Sequence, residues 1–215
     1  MKRGYLIVLE GVDGSGTTTQ AEQLKAAFAS RNMPVHVTAQ PSSGPVGMLI
    51  RQILSRRIVS IDGAAPGWAT MSLLFAGDRQ DLQENEIAPN LENGVNVICD
   101  RYVYSSVIYQ GLSADRKDAA QWILEINKHI RTPDLVIYLK ISPDEASRRR
   151  RARSDKTEIF DDDDFQRKLI ESYDRLEETF ANLRIVTLDA QQSIDEIAKQ
   201  TWDAVEKLME KGATP

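Results

Sequence analysis

The residues best suited to chemistry stand together near the amino end: Gly11-Val12-Asp13-Gly14-Ser15-Gly16-Thr17-Thr18. Glycine at 11, 14 and 16 lets consecutive backbone N–H groups close on an anion with no side chain in the way. A helix opening at Thr17 adds the partial positive charge of its amino end. The segment therefore predicts a phosphate-binding loop built from Gly11, Gly14, Ser15, Gly16, Thr17, Thr18 and Thr19. Thr18 stands where a hydroxyl reaches a magnesium ion. Thr17 breaks the pattern, because a lysine is expected there to meet the β- and γ-phosphates of a nucleotide. The competing reading is a glycine-rich turn that binds no nucleotide.

A second signal is Asp100, delivered by the apolar run Val95–Cys99. A carboxylate at the carboxyl edge of a parallel sheet can hold Mg²⁺ or its waters beside Thr18. It can equally cap the helix that the chain enters next. Charge is also concentrated in five arginines, Arg148 to Arg151 and Arg153, and in the acidic run from Asp161 to Asp164. Solvated surface is the plain reading of both runs. On a helix, Arg149 and Arg153 are four apart and share a face.

These residues need a scaffold, and the pattern of apolar runs predicts one. Short β-rich stretches recur at Tyr5–Leu9, Val35–Thr38, Val95–Cys99, Leu135–Leu139 and Ile185–Leu188, separated by segments of helical period. Alternation of this kind predicts an α/β fold with a parallel sheet. Helices are expected over Thr17–Arg31, Val46–Leu54, Trp68–Leu91, Ala119–Ile130 and Asp163–Phe180, and a last one behind the capping box of Ser193 and Glu196.

A chain of 215 residues suits one such core, and 41% hydrophobic with 27% charged residues argues against disorder or a fibrous repeat. A net charge of −5 weighs against a general nucleic-acid binder, which needs a positive field. No run approaches the ~20 apolar residues of a membrane span. Tyr5–Leu9 is too short for the core of a signal peptide, and the lone Cys99 suits a reducing cytoplasm.

Taken together, Gly11 to Gln20, Thr38-Ala39-Gln40-Pro41, Phe75-Ala76-Gly77-Asp78-Arg79, Asp100-Arg101-Tyr102 and Gln110-Gly111 fall in the order found in thymidylate kinases, which the chain resembles over nearly its whole length. The resemblance implies a nucleoside monophosphate kinase fold: a five-stranded parallel sheet flanked by helices, one domain over 1–215, with a mobile lid at about 143–162. It implies transfer of the γ-phosphoryl group of ATP to dTMP with Mg²⁺ as cofactor, and a homodimer joined through the region from Trp68 to Leu91. Met71, Leu73, Leu74, Leu82 and Ile87 there lie on more than one face, although they could instead serve only the chain's own core.

Residue by residue, the resemblance implies that Asp13 accepts a hydrogen bond from the acceptor's 3′-hydroxyl. Phe75 would stack on the base and Arg79 donate to a base carbonyl, whereas a core phenylalanine and surface ion pairs are the plainer roles for Phe75 and for Arg51 and Arg79. Arg101 and Arg51 would hold the acceptor's phosphate, and Ser105 and Tyr109 would line the sugar and base pocket. One type of the family carries its catalytic arginine in the loop directly after the aspartate, where this chain has Gly14. The other type carries arginines in the lid, which assigns Arg153 to the transferring phosphoryl group and Arg149 to the adenine side, with Arg151 as a substitute for either. Two departures stand out. Thr17 leaves a missing charge for one or two lid arginines to replace, and Ala39-Gln40 stands where the family commonly has Arg-Glu. A kinase for another nucleoside monophosphate, a deoxynucleoside kinase, and a catalytically impaired nucleotide-binding protein of the same fold are the rivals.

Overall fold

The computed structural model describes residues 3–114, 116–153, 159–160 and 162–211, without the side chains of Arg153 and Lys211. Five parallel strands, β1 (Leu6–Glu10), β2 (Val35–Ala39), β3 (Asn96–Asp100), β4 (Leu135–Lys140) and β5 (Ile185–Asp189), form one sheet in the order β2-β3-β1-β4-β5. Each of the five predicted strands is present. Every residue of β1 and β3 is buried, whereas the edge strand β2 is half-buried throughout. This explains why the inner strands read as unbroken apolar runs rather than alternating ones.

Ten α-helices surround the sheet among the described residues: α1 (Thr17–Ser30), α2 (Pro45–Leu54), α3 (Trp68–Leu82), α4 (Ala88–Glu92), α5 (Val103–Ser113), α6 (Ala119–Ile126), α7 (Pro143–Arg153), α8 (Asp163–Tyr173), α9 (Leu176–Thr179) and α10 (Ile194–Lys211). α1 buries Ala21, Leu24 and Phe28, and the Phe28 ring meets Trp202 of α10 edge-on at 5.3 Å. α5 packs against α3, α6 and α8. A smaller apolar cluster of Ile50, Ile53 and Met71 joins α2 to α3, with Phe75 packed on it.

Boundaries differ from expectation in several places: α6 stops at Ile126, short of the expected Ile130, and α7 lies outside the expected helices. The segment expected as one helix from Trp68 to Leu91 contains a π-helical turn, Gln83–Ile87, between α3 and α4. The expected helix Asp163–Phe180 breaks at Asp174 and Arg175 into α8 and α9. α5 falls outside the expected helices; its buried face runs nearly all round, with Val103, Tyr104, Ser106, Val107, Ile108, Tyr109 and Gln110 buried, which erases the one-sided period that marks a surface helix. Of the apolar residues expected on several faces of 68–91, Met71, Leu82 and Ile87 are buried within the chain, and Leu73 is left 54% exposed.

α10 begins at the predicted box. The Ser193 backbone N–H donates to Glu196 Oε2 at 3.0 Å, and the Glu196 N–H donates to Ser193 Oγ at 3.3 Å. Two backbone donors are satisfied reciprocally at the start of an 18-residue helix. We expect Ser193→Ala to lower unfolding free energy by about 1 kcal/mol, read from the midpoint of urea denaturation at unchanged slope.

Candidate functional site

Pairing of β1 with β3 in register, Leu9 beside Asp100, sets the site. The loop leaving β1 and the carboxylate ending β3 must emerge side by side at the carboxyl edge of the sheet. Gly14 and Gly16 both take left-handed backbone angles, φ 91° and 96°. A Cβ on Gly14 would also lie 2.8 Å from the Ala146 carbonyl oxygen of α7. The place where the family's other type carries a loop arginine is thus closed to any side chain, and α7 lies directly on the loop instead. At the start of α1, Thr18 Oγ1 donates to Asp100 Oδ2 at 2.5 Å, while Asp100 Oδ1 is buried with no protein partner. A hydroxyl and a carboxylate with one oxygen unspoken for suit Mg²⁺, which binds through one or two protein oxygens and fills its shell with water and phosphate. Thr17 is buried, 6% exposed.

Beside the loop lies a cavity of about 570 Å³. Asp13, Thr18, Arg51, Phe75, Arg79, Asp100, Arg101, Ser105 and Tyr109 line it, together with Gln40, Gln110 and Phe160. The structure thus brings all the residues assigned to the acceptor, and both assigned to the metal, to one volume of the size that small-molecule sites occupy. Arg101 holds a left-handed backbone angle, φ 70°, unusual for a side chain of its size. Its N–H donates to Leu9 O at 2.8 Å, and its guanidinium donates to Asp13 Oδ1 at 2.7 Å and to Tyr109 Oη at 3.1 Å. Tyr109 in turn donates to Asp13 Oδ2 at 3.3 Å. Arg51 donates to the carbonyl of Pro41.

Arg79 is 1% exposed, and its hydrogen-bond partners among the described residues are neutral. Nε donates to Gln40 Oε1 at 2.8 Å, Nη1 to Asn127 Oδ1 at 2.6 Å, and Nη2 to Ser106 Oγ at 2.8 Å. Desolvation pulls its pKa down to about 10, so the guanidinium stays charged near neutral pH in the wall of the cavity. Gln40, where the family commonly has glutamate, is thus the residue that orients Arg79. Asp78 secures the same corner by accepting from the Ser42 N–H at 2.8 Å and from Ser42 Oγ at 2.5 Å.

On the other side of the loop, Arg149 Nε donates to Glu145 Oε1 at 2.7 Å and Nη2 to the Ala190 carbonyl at 3.0 Å, and Nη1 lies 3.5 Å from the Gly14 carbonyl. Arg151 is exposed and pairs with Asp163 at 3.1 Å. The side chain of Arg153, and residues 154–158 and 161 of the expected lid, lie outside the described residues.

Two features had no assignment in the sequence. One is Arg150, whose side chain is nearly buried on the inner face of α7. The other is Glu10, fully buried at the end of β1. Its Oε1 accepts from the backbone N–H groups of Tyr102 (2.9 Å) and Ser105 (3.3 Å), and its Oε2 from Ser105 Oγ (2.6 Å) and Tyr173 Oη (3.0 Å). The carboxylate caps α5 from a neighbouring strand, while Ser105 spends its hydroxyl on it. A glutamate ending an apolar strand, immediately before the glycine loop, was the available signal.

Burial pushes the Glu10 carboxyl above its ordinary 4.5, against the opposing pull of the Ser105 hydrogen bond and the Arg101 charge. An acid whose pKa is raised by folding stabilises most when protonated, so its contribution falls as pH climbs from 4.5 through the raised value. We expect the melting temperature of Glu10→Gln, relative to the unsubstituted chain, to rise with pH across that window; a pH-independent difference would place the cost of Glu10 elsewhere.

A family profile described as thymidylate kinase matches residues 9–201. A probable thymidylate kinase of Pyrococcus abyssi is 40% identical over 198 residues, covering 91% of this chain and 92% of the relative. A thymidylate kinase of Caldicellulosiruptor saccharolyticus is 32% identical over 216 residues, covering 97% and 99%. Among solved structures, the thymidylate kinase of Candida albicans superposes with a TM-score of 0.79 at 26% identity, over 95% of this chain and 92% of that one.

Proposed function

The chain belongs to the thymidylate kinase family, and on that premise we propose that it transfers the γ-phosphoryl group of ATP to dTMP, giving ADP and dTDP. The observation that carries this reading is the single cavity in which Asp13, Phe75, Arg79, Arg101 and Tyr109 converge and which opens onto Thr18 and Asp100. In this reading Phe75 offers a flat face to the base, and Arg79 donates to a base carbonyl. Asp13 takes the sugar's 3′-hydroxyl, Ser105 and Tyr109 line the sugar and base pocket, and Tyr109 crowds a 2′-hydroxyl. Arg101 and Arg51 present guanidinium forks to the acceptor's phosphate.

The acceptor is already an anion, so no residue need remove a proton from the attacking oxygen; the barrier lies in bringing two anions together. The amides of Gly11 to Thr19 and the Thr17 hydroxyl cradle the donor's phosphates. Mg²⁺ held by Thr18 and Asp100 would supply charge neutralisation on those phosphates. Arg149, resting on Gly14 and Ala190, faces the adenine end, and Arg153 is assigned to the transferring group. Residues 143–162 act as a lid that excludes water on closure. The single cysteine, Cys99, buried and unpaired, suits a cytoplasmic location.

A coupled assay of ADP release with and without dTMP tests the activity. Asp100→Asn is expected to depress kcat with modest change in the KM for dTMP, because it acts on the metal, whereas Arg101→Ala mainly raises that KM. Equal losses in both constants for both variants would refute these assignments. A chain that binds ATP yet releases no dTMP-dependent ADP is the catalytically impaired relative that Thr17 suggests.

The chain is proposed to act as a homodimer through α2 and α3, where Leu73, Met48 and Leu49 remain exposed on packed neighbouring helices. Leu73→Asp should convert a species of twice 24.1 kDa to the monomer in analytical ultracentrifugation; a monomer before substitution removes the idea.

A further inference from the structure

Thr17 leaves the loop without the cation that a nucleotide's terminal phosphates require, and the fold limits which side chain can replace it. Arg101 is turned to the acceptor side, where Asp13 and Tyr109 hold it. Arg149 is paired with the Glu145 carboxylate and anchored at Ala190. Arg148 and Arg151 stand 69% and 76% exposed, bound to Glu145 and Asp163 respectively.

Arg150 differs from all of these. Its side chain is 11% exposed, and Nη1 lies 3.4 Å from the backbone carbonyl of Asp13 and 3.1 Å from Gln166 Oε1. Among the described residues its carboxylate neighbour is Asp163, which Nη2 meets at 3.5 Å and which Arg151 shares at 3.1 Å. A nearly buried guanidinium with mainly neutral acceptors is a charge awaiting an anion. Its direction is set by the helix: Ala146, which touches Gly14, and Arg150 are four apart and share the face of α7 that lies on the loop. Gln166 fixes the approach. Its Nε2 donates to Phe160 O at 2.8 Å, which turns its oxygen toward Arg150.

We propose that Arg150 supplies to the β- and γ-phosphates of the bound nucleotide the positive charge that the loop lacks at Thr17, with Gln166 as its positioning residue. The proposal rests on the kinase reading only in that the loop binds ATP. It makes Arg150 and a lysine at residue 17 alternative sources of one charge.

That equivalence is testable. Arg150→Met keeps the packed stem and removes the charge. We expect it to weaken ATP binding, measured by calorimetry without any acceptor, by about tenfold, and to lower kcat by about 10²-fold, with the KM for dTMP little changed. Adding T17K to R150M should recover most of both losses, which a merely structural role for Arg150 would not allow. Should R150M fail to fold, R150Q, which removes the charge but keeps a polar amide on the stem, makes the same comparison. Unchanged ATP affinity and turnover in the folded Arg150 variant, or failure of T17K to recover either in that background, would overturn the proposal. Because ATP affinity is read without dTMP, an error about the acceptor appears only in the unsubstituted chain's coupled assay, and an error about Arg150 appears in the calorimetry.

Discussion

One buried carboxylate ties the site together. Ionised, Glu10 would be expensive to bury alone, by several kcal/mol even after relaxation; it persists because four donors converge on its two oxygens, each hydrogen bond to a charged group contributing about 1.5–3 kcal/mol. Those donors come from α5, the residue that precedes it, and α8, and Glu10 itself is the last residue of the central strand before the glycine loop. The start of the phosphate loop, the segment that carries Arg101, Ser105 and Tyr109, and the helix after residues 143–162 are therefore referenced to a single group. The left-handed Arg101 sits between the two backbone N–H groups that this frame holds most firmly, its own on Leu9 O and that of Tyr102 on Glu10. Strain at that residue can be sustained because its neighbours are fixed on both sides.

From this frame the electrostatics divide cleanly. In the cavity, guanidinium groups are either caged by neutral oxygens, as Arg79 is, or set against the loop's own aspartate, as Arg101 is. At the loop itself the charge arrives from α7, which Gly14 allows to approach to backbone contact. The Asp13 side chain faces one cation and its carbonyl oxygen faces another, so the loop is the partition between two positive regions in a chain of net charge −5. Local fields, not overall charge, govern recognition of phosphate here.

Much of this was legible in the sequence because it rests on short-range rules. The glycine loop, the strand ending in Asp100 and the Ser193–Glu196 box each carry their structural reason within a few residues. The features that stayed hidden depend on approach between distant elements. α5 shows no one-sided period because it is buried almost all round. Gln40 reads as a lost carboxylate until Arg79, 39 positions away, is seen to need its oxygen. Among five neighbouring arginines, spacing shows only that Arg149 and Arg153 share a face, whereas the setting of Arg150 against the Asp13 carbonyl follows from where Ala146 touches Gly14, which no local pattern encodes.

The π-helical turn at Gln83–Ile87 alters how length variation in this region translates into geometry. A regular helix rotates by about 100° per residue, so the wider turn acts as a phase adjuster between α3 and α4. Upstream, Phe75 and Arg79 meet the cavity; downstream, Leu91 is buried and its carbonyl accepts from the Gly4 N–H at 2.8 Å, tying the helix to the chain's amino end. Within the turn, Gln83 Oε1 accepts from the Arg131 N–H at 3.1 Å. Losing one residue there would let the helix close into ordinary α geometry while turning one half against the other, so that cavity-lining and core-facing residues could no longer both keep their present partners. An insertion or deletion in this stretch therefore changes the angular setting of the cavity wall rather than the length of a loop.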